Sequence, residues 1–450
     1  MLTDFLGGKW HKGLTAAGGE AILGARLGRV YNLPFTIGLR RIAYCSASYG
    51  FPAVLDKFFG PLRPPSHWNH WRDCRLLVLA MACMWGRRQV TNLYRYLEFE
   101  HHQTCFNNFF LVERWDPEAA LRQQGQAWLR ARRPGKGETL DLIIDDSKKA
   151  KRGKAMDAIA KMQDPTTAAY IRGHPYVCAI LVYRDHVIPL GIRRYVKKAP
   201  CPTVGGPCHK TTELAAQRIR ECTPPAGVKV VVVFDADYLC PTVVKACREQ
   251  PVHFASTLKS HWGLFKQGWK RPTGRYGRHL FRRRRTDTLD LAKPYGSVRY
   301  RFMDAGWLEV STRGPLHVVC SRKGPANKIL GLVTDAPPRS AADVIRTYDK
   351  RWTIEPWVKD VKQLLGLGHD QNRSYGAAVT HLHLVCFAYA LLTHLRLERT
   401  GAQGQRIRHK ANGYVTRLLT SQPLLLRTSS GVCFGRTSSP LGRRSALINL

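Results

Sequence analysis

Residues 228–240, VKVVVVFDADYLC, decide the fold class of this chain. Residues 230–234 form an unbroken apolar run, mostly β-branched, which is typical of a strand buried on both faces of a sheet. Asp235 and Asp237 follow where that strand is expected to end. In open α/β sheets functional sites gather outside the strand ends. The stretch therefore predicts a central strand with a functional site at its edge.

Strand and helix patterns alternate around this run. Residues 139–153, TLDLIIDDSKKAKRG, read as a strand that ends in Asp145 and Asp146 and continues into basic residues. Residues 176–196 resemble a hairpin, and residues 211–222, TTELAAQRIREC, have helical spacing. We expect an α/β region with strands of mixed direction. Because adjacent strand residues point to opposite faces, only one of Asp145 and Asp146 can face a shared centre.

A third carboxylate comes from residues 348–362, YDKRWTIEPWVKDVK. On one helix, four polar residues fall within a band about 60° wide, namely Tyr348, Arg351, Glu355 and Lys362. An apolar stripe about 80° away predicts the buried face; it consists of Ile354, Val358, Val361 and Leu365. Pro356 predicts a kink or a fresh helix start, since it lacks a backbone donor and disfavours helical dihedrals just before it.

These acids suit a hard cation. Three carboxylates without a His or Cys set are typical of Mg²⁺, which prefers oxygen ligands and keeps several water or phosphate ligands. Two such ions could activate an attacking oxygen and stabilise the leaving oxygen of a phosphodiester. The residues therefore predict a two-ion Mg²⁺ site, with Mn²⁺ as a substitute. Two clusters, HWNHWRDC at 67–74 and HHQTC at 101–105, offer a weaker alternative zinc site without standard finger spacing.

The composition points to a polyanionic partner. The 450 residues carry 71 Lys and Arg against 32 Asp and Glu, a formal charge of +39, with 44% hydrophobic residues for real cores. Nucleic acid is the commonest large polyanion that such a field serves. No apolar run reaches the roughly 18 residues that a spanning helix needs, so no membrane span is expected. The longest candidates are residues 76–85 and 381–395, and the second contains histidines and is interpreted as a buried helix. The N-terminus lacks the order of a signal peptide, which predicts a cytoplasmic, nucleoid-associated protein.

The patterns divide the chain into six segments. The expected order is an N-terminal segment at 1–60, a helical DNA-binding domain at 61–135, a first catalytic part at 136–255, a β-rich basic insertion at 256–335, a second catalytic part at 336–400 and a basic tail at 401–450. Two short helices around Gly86 resemble a helix-turn-helix, although other small helical domains have the same pattern. In the insertion, Trp269 and the run Arg282, Arg283, Arg284 and Arg285 are candidates for DNA binding, with a disordered basic loop as the alternative.

The order of three motifs resembles a known family. IIDDS, then VVFDADY, then Y-x₂-R-x₃-E-x₆-K are similar to the insertion-sequence DDE transposases of the YREK-signature group, over most of residues 75–395. This resemblance implies an RNase H-like mixed sheet flanked by helices, with a β-rich insertion and an N-terminal helical domain. It also implies cut-and-paste transposition, with double-stranded DNA at terminal inverted repeats and targets as substrate, and a homodimer across paired ends.

The resemblance also assigns roles to residues. The catalytic, metal-binding acids are expected to be Asp146, Asp235 and Glu355, with Asp145 as a substitute for the first. Contacts to the DNA backbone are expected from Tyr348, Arg351 and Lys362. Two alternatives stay open: another RNase H-like nuclease, such as a junction resolvase or an RNA-degrading enzyme, and a transposase-derived DNA-binding protein without catalysis.

Overall fold

A computed structural model of the chain describes residues 53–400. Gaps lie at 63–67, 85, 98–101, 112–115, 154, 165–166, 185, 198–207, 267, 284, 294–295 and 325–327. The expectations for residues 1–52, for the tail at 401–450 and for Arg284 lie outside the described residues, as do His67 and His101 of the alternative zinc clusters.

One mixed sheet organises the described residues. Its order is β2-β3-β1-β5-β6-β12-β11-β10-β7-β8, with β4 paired to β3 and β9 paired to β10. The strands are β1 (Thr139–Ala150), β2 (Ala160–Gln163), β3 (Tyr170–Tyr183), β4 (His186–Arg194), β5 (Lys229–Val233), β6 (Val252–Leu258), β7 (Gly263–Lys266), β8 (Trp269–Pro272), β9 (Asp287–Lys293), β10 (Gly296–Val310), β11 (Gly314–Lys323) and β12 (Ile329–Thr334). β5 runs parallel to β1 and β6, and the other pairs are antiparallel.

Helices cover both faces of this sheet. They are α1 (Ala53–Phe59), α2 (Trp68–Cys83), α3 (Val90–Leu97), α4 (Thr104–Leu111), α5 (Pro117–Arg132), α6 (Thr211–Arg220), α7 (Pro241–Glu249), α8 (Thr273–Arg283), α9 (Ala341–Asp349), α10 (Ile354–Gln363) and α11 (Tyr375–Thr400). A mixed sheet flanked by helices is the predicted fold class, which is confirmed.

The central strand β5 explains the two layers. Val230 and Val232 point into the core formed with α6 and α7, whereas Val233 points into the core formed with α10 and α11. A strand that is covered on both sides buries almost all of its apolar surface. Each Å² of buried apolar area stabilises the fold by about 25 cal/mol. This is why the sequence here is a run of valines instead of an alternation of apolar and polar residues.

The N-terminal helices share their core with the face of the sheet that α10 and α11 cover. Leu77 of α2, Phe106 of α4 and Leu384 of α11 belong to the same buried cluster as Ile143 of β1. The break predicted at Gly86 is present, with φ +90. The boundary predicted at residue 135 therefore separates stretches of sequence that contribute to one core, and DNA binding by this helical part stays a prediction.

The segment predicted as an insertion continues the same sheet. β12 pairs antiparallel with β6, and β11, β10, β7 and β8 follow outward. Helix α8 lies against this part of the sheet, where Gly277 allows Ile329 of β12 to approach; a Cβ there would lie 2.8 Å from the Ile329 side chain. The segment therefore extends the central sheet sideways.

One helix has the length and composition of a membrane span. Among the described residues, one stretch, Tyr375–Arg396 in α11, is long and apolar enough to cross a bilayer, and 89% of its window is buried inside the fold. Its histidines His381 and His383 are fully buried, and each ring contacts a backbone carbonyl, that of Arg88 and that of Val379 respectively. The helix therefore serves as the central core helix, as the alternative interpretation of this stretch as a buried helix predicted.

The stretch 348–362 does not form one helix. Helix α9 ends at Asp349, a 3-10 turn covers Lys350–Thr353, and α10 begins at Ile354. The fresh start predicted from Pro356 is present, since proline is tolerated in the first turn of a helix. Three members of the predicted buried face, Ile354, Val361 and Leu365, are buried as expected.

Candidate active site at the edge of the central strands

The acids of β1 lie where its parallel pairing ends. The last paired residues of β1 and β5 are Ile143 and Val233, and each strand carries an aspartate two residues further on, Asp145 and Asp235. β1 itself continues to Ala150 against β3. Asp145 and Asp146 therefore lie within a strand but at the same edge of the sheet as Asp235, which is the edge where sites of α/β sheets gather.

Strand alternation sends Asp145 and Asp146 to opposite faces. The Oδ2 of Asp145 accepts a hydrogen bond from Nη1 of Arg351 at 2.8 Å, on the side of α10. The Oδ1 of Asp146 accepts a hydrogen bond from the hydroxyl of Tyr238, in the loop before α7. The expectation that the pair divides between two faces is thus met, and each carboxylate has a different partner.

Asp235 lies between these two environments. Its Oδ1 accepts hydrogen bonds from the backbone N–H groups of Asp237 at 2.9 Å and Tyr238 at 3.4 Å, which fixes the turn after β5. Its charge acts on both Asp145 and Asp146, because it raises the pKa of each. Asp235 is therefore the acid that is near both members of the β1 pair.

Burial and mutual repulsion keep these carboxyls harder to ionise than usual. Burial raises the pKa of Asp145 to about 6, against a lowering by Arg351 and a further rise from Asp235 and Asp146. Burial also raises the pKa of Asp146 and of Asp235. Partly desolvated carboxylates that lie close together repel one another when they are ionised. A bound cation would stabilise their ionised forms.

Arg351 joins the strand acids to the third motif. Its Nη1 binds Asp145, and its Nη2 donates to Oε1 of Glu355 at 3.3 Å. Burial alone would lower the pKa of Arg351, but Tyr348, Asp145 and Glu355 together raise it. One guanidinium thus connects two sequence motifs that lie 206 residues apart along the chain.

The third acid stands apart from the first two. The Glu355 side chain is 47% exposed, and burial raises its pKa while Arg351 and Lys323 lower it. Within the part of the chain that the structure describes, no three His, Cys, Asp or Glu side chains are grouped closely enough to hold a metal ion. The oxygen donors suit Mg²⁺, but the guanidinium of Arg351 lies between Asp145 and Glu355. The carboxylates are gathered at one edge without forming a single ligand set.

The other two residues of the predicted phosphate-contacting group lie on either side of Arg351. Tyr348 lies in the last turn of α9, where burial raises its pKa and the nearby Arg351 lowers it. Lys362 lies in the last turn of α10, and burial lowers its pKa, with the charge of Lys149 acting in the same direction. The structure thus places Tyr348 beside Arg351, whereas Lys362 lies further along β1 toward its basic end.

Two aromatic residues of this region had no role assigned from sequence. Tyr238 binds Asp146, and its position three residues after Asp235 in the quoted DADY was the available signal. Trp352 is 42% exposed, with Nζ of Lys323 4.8 Å and Cζ of Arg351 4.8 Å from its ring centroid. An exposed aromatic side chain between two cations at the site is able to stack on a base.

The candidate DNA-binding residues of the insertion lie on and around α8. Arg282 and Arg283 form the exposed end of this helix, and Arg285 is exposed just beyond it. The disordered-loop alternative is therefore wrong for Arg282 and Arg283. Trp269 packs on Tyr276, with ring centroids 4.9 Å apart, so much of its surface is used within the fold.

The fold and this edge define the class of the protein. A mixed sheet covered by helices, with carboxylates gathered where the central strands end, is consistent with an RNase H-like nuclease domain. The chain belongs to the family described as DDE superfamily endonuclease, whose sequence model matches residues 61–309, more than half of the 450 residues. Membership implies nuclease or transposase-type activity on DNA. No curated protein sequence matches the chain significantly.

The matched region covers only part of the candidate site. It includes Asp145, Asp146 and Asp235, and it ends before Glu355. The roles of the individual acids, and of the basic residues on the 348–362 stretch, are therefore argued from the geometry alone.

Proposed function

We propose that the protein is a DNA transposase of the YREK-signature group that cleaves DNA at the ends of a mobile element and joins those ends to a target. The observation that carries this proposal is the Arg351 link. It brings the 348–362 stretch to the strand edge that holds Asp145 and Asp235. All three predicted motifs thus meet in one place.

The first catalytic acid in this proposal is Asp146. Asp145 already has a cationic partner in Arg351, with the two side chains only 20% and 13% exposed. Asp146 is more exposed, and its partner is the neutral phenol of Tyr238. A carboxylate without a competing cation is the better ligand for a divalent ion. Asp145 is then a positioning residue that holds Arg351.

Asp235 and Glu355 complete the proposed set. The ion pair that Arg351 makes with Glu355 is long and half exposed, so it contributes little and is readily exchanged. Movement of that guanidinium onto a DNA phosphate would release Glu355 toward the two aspartates, since guanidinium groups bind phosphate in a two-pronged geometry. Tyr348 and Lys362 would add a phenol donor and a positive charge to the same strand.

The proposed chemistry has two steps. In the first, water attacks a phosphorus at the element end, the bond to the 3′ oxygen breaks, and a 3′ hydroxyl and a 5′ phosphate are released. In the second, this hydroxyl attacks a target phosphodiester, so that one P–O bond forms and one breaks. Two Mg²⁺ ions, or Mn²⁺ in their place, would supply activation of the attacking oxygen and stabilisation of the leaving oxygen.

The partners follow from this proposal. The substrate is double-stranded DNA, as terminal inverted repeats and as target, and the charge of +39 provides the attraction to it. The exposed arginines at the end of α8 add a second basic surface. We propose a homodimer on paired ends and a cytoplasmic, nucleoid-associated location.

The test uses DNA from either side of the gene. Wild-type protein with Mg²⁺ is expected to cleave a labelled duplex that carries the flanking inverted repeats, and Glu355→Gln should lower the rate at least about 100-fold. Glu309→Gln, which changes an exposed carboxylate of β10, is the matched control and should cleave as wild type does.

Other outcomes would replace the proposal. Cleavage that is unaffected by Glu355→Gln contradicts the assignment of the third acid. Preferential cleavage of an RNA–DNA hybrid would favour a different RNase H-like nuclease. Tight DNA binding without cleavage in either metal would favour a non-catalytic DNA-binding protein.

A further inference from the structure

A basic cavity lies at the end of β1, beyond the candidate active site. Its volume is about 360 Å³. Its walls come from three parts of the chain: the end of β1 with the loop after it, the turn between α2 and α3, and the turn that follows α10. The residues that matter are Arg87, Lys149, Lys151, Arg152, Gly368 and Asp370.

The cavity presents cations that are not neutralised. Arg87, Lys149 and Arg152 make no ion pair within the described part of the chain, although all three line the cavity. Asp370 is paired with Lys151 at 2.8 Å, and both side chains are almost completely buried. The remaining charge is therefore positive and concentrated in a concave space, which favours an anionic ligand.

The wall of the cavity is held rigidly. Nζ of Lys151 donates hydrogen bonds to the carbonyl of Gly368 at 3.0 Å and to the carbonyl and Oδ1 of Asp370 at 2.8 Å each. The backbone N–H of Arg88 donates to Nδ1 of His369 at 3.3 Å. These bonds fix the turn after α10 before any ligand binds, so little ordering is required when an anion arrives.

Glycine at 368 is what lets Lys149 lie over this turn. Gly368 has φ +73, and a Cβ on it would come within 2.5 Å of Cγ of Lys149. The stem of Lys149 therefore packs against bare backbone, and Lys149 forms part of the cavity wall. The conformation of this turn therefore determines where the Lys149 side chain lies.

The cavity is in line with the acids. Asp145 and Lys149 lie four residues apart on the same face of β1, a distance of about 13 Å at 3.3 Å per residue. Lys362, in the last turn of α10, lies close enough to Lys149, and to Cys178 opposite Asp145 on β3, for both residues to affect its pKa. Cations thus follow one another from Arg351 through Lys362 to the cavity.

We propose that this cavity holds backbone phosphates of the DNA strand that leaves the active site, a few nucleotides from the phosphate that is cut. The proposal rests on the function proposed above and names a binding site for its substrate. About 13 Å spans a few nucleotides of one strand, at about 3.4 Å per nucleotide along the axis. It also gives the N-terminal helices a part in the site, because Arg87 lies in the turn between α2 and α3.

The test measures DNA affinity against salt, in EDTA so that no cleavage occurs. The probe is a fluorescent 30-base-pair duplex of random sequence, titrated over a range of KCl concentrations. The variant is Arg87→Gln with Lys149→Gln, which removes two charges and keeps most of the side-chain volume. The control is Lys229→Gln with Lys245→Gln, which removes two exposed lysines from the start of β5 and from α7.

The salt dependence gives the expected result. Each lost phosphate contact lowers the slope of log K against log salt by about 0.9, so the cavity variant should lose between about 1 and 2. Its affinity should fall about 10-fold or more, and its circular dichroism should match that of wild type. The control pair should keep the wild-type slope.

Two outcomes overturn the proposal. One is a slope for the cavity variant equal to that of the control pair. The other is calorimetric binding of inorganic pyrophosphate that the variant loses while its DNA slope is unchanged, which would assign the cavity to a free phosphate compound. Neither depends on catalysis. Failure to cleave DNA therefore counts against the proposed function, whereas an unchanged slope counts against the cavity alone.

Discussion

Arg351 is the residue on which the geometry of the candidate site depends. It contacts Asp145 and Glu355 at once, from a 3-10 turn that lies against the edge of β1. Its residue type and its place in the Y-x₂-R-x₃-E-x₆-K spacing were visible in the sequence. Its partner was not, because the contact joins residues 206 positions apart and depends on how the turn is seated.

Replacement of Arg351 by lysine should separate the two contacts. A lysine ammonium is a single point charge and cannot reach Asp145 and Glu355 together, nor grip a phosphate with two donors. A charge-assisted hydrogen bond contributes about 1.5–3 kcal/mol, so kcat/KM for DNA cleavage should fall about 10-fold to 100-fold. The measurement is cleavage of a labelled duplex under steady-state conditions.

Arg346→Lys provides the matched control for that change. Arg346 lies on α9, two residues before Tyr348, and pairs with Asp343 at the surface. An exposed pair of this kind contributes little, so its substitution should leave kcat/KM unchanged. Equal activity for the Arg351 and Arg346 variants would contradict the role given to the guanidinium.

At the scale of elements, sequence patterns predicted strands better than helices. The valine run of β5 predicted a strand covered on both faces, and β5 is such a strand. The 348–362 stretch was expected to be helical with a kink or a fresh start near Pro356, and it is two helices with a 3-10 turn between them. Pro356 marked the new start, but helical periodicity cannot distinguish a short 3-10 turn from continuing α-helix.

Asp360 on α10 makes the energetics of that helix testable. Its side chain has no hydrogen bond or ion pair within the described residues, and burial raises its pKa to about 6 against a lowering by Lys359. Because the folded-state pKa lies above the unfolded value, the unfolded chain binds fewer protons over this range. Stability should therefore fall as pH rises from about 4 to about 6.

Asp360→Asn should remove the free-energy cost of ionising this buried carboxyl. Chemical unfolding at pH 8 is expected to give a variant that is more stable than wild type by about 1 kcal/mol, after allowance for solvent screening. At pH 4, where the wild-type carboxyl is protonated, the two proteins should differ much less. A variant that is less stable than wild type at pH 8 would show that the Asp360 carboxylate stabilises the fold.

At the scale of the whole molecule, the helices before residue 135 and the sheet after it behave as one body. The buried cluster of Leu77, Phe106 and Leu384 includes Ile143 of β1. The predicted boundary at residue 135 falls in a short connection from α5 to β1. A sequence-based boundary could not reveal this, since apolar helix faces do not specify their partners.

Unfolding should therefore be cooperative across that boundary. A calorimetric scan of the full chain is expected to give a single transition for the helical part and the sheet together. Leu384→Ala in α11, which opens a cavity in the shared core, should lower stability by about 2–5 kcal/mol without splitting the transition. Two separate transitions, with only one of them shifted, would mean that the two parts have independent cores.

The central claim is that acids at the strand edge make this protein a metal-dependent DNA nuclease. Asp235 and Asp237 offer a matched pair two residues apart; the second is largely exposed and paired with Lys259. With supercoiled plasmid and Mn²⁺, Asp235→Asn should slow nicking at least about 100-fold, whereas Asp237→Asn should stay within about 3-fold of wild type. Nicking by Asp235→Asn at the wild-type rate would contradict the claim.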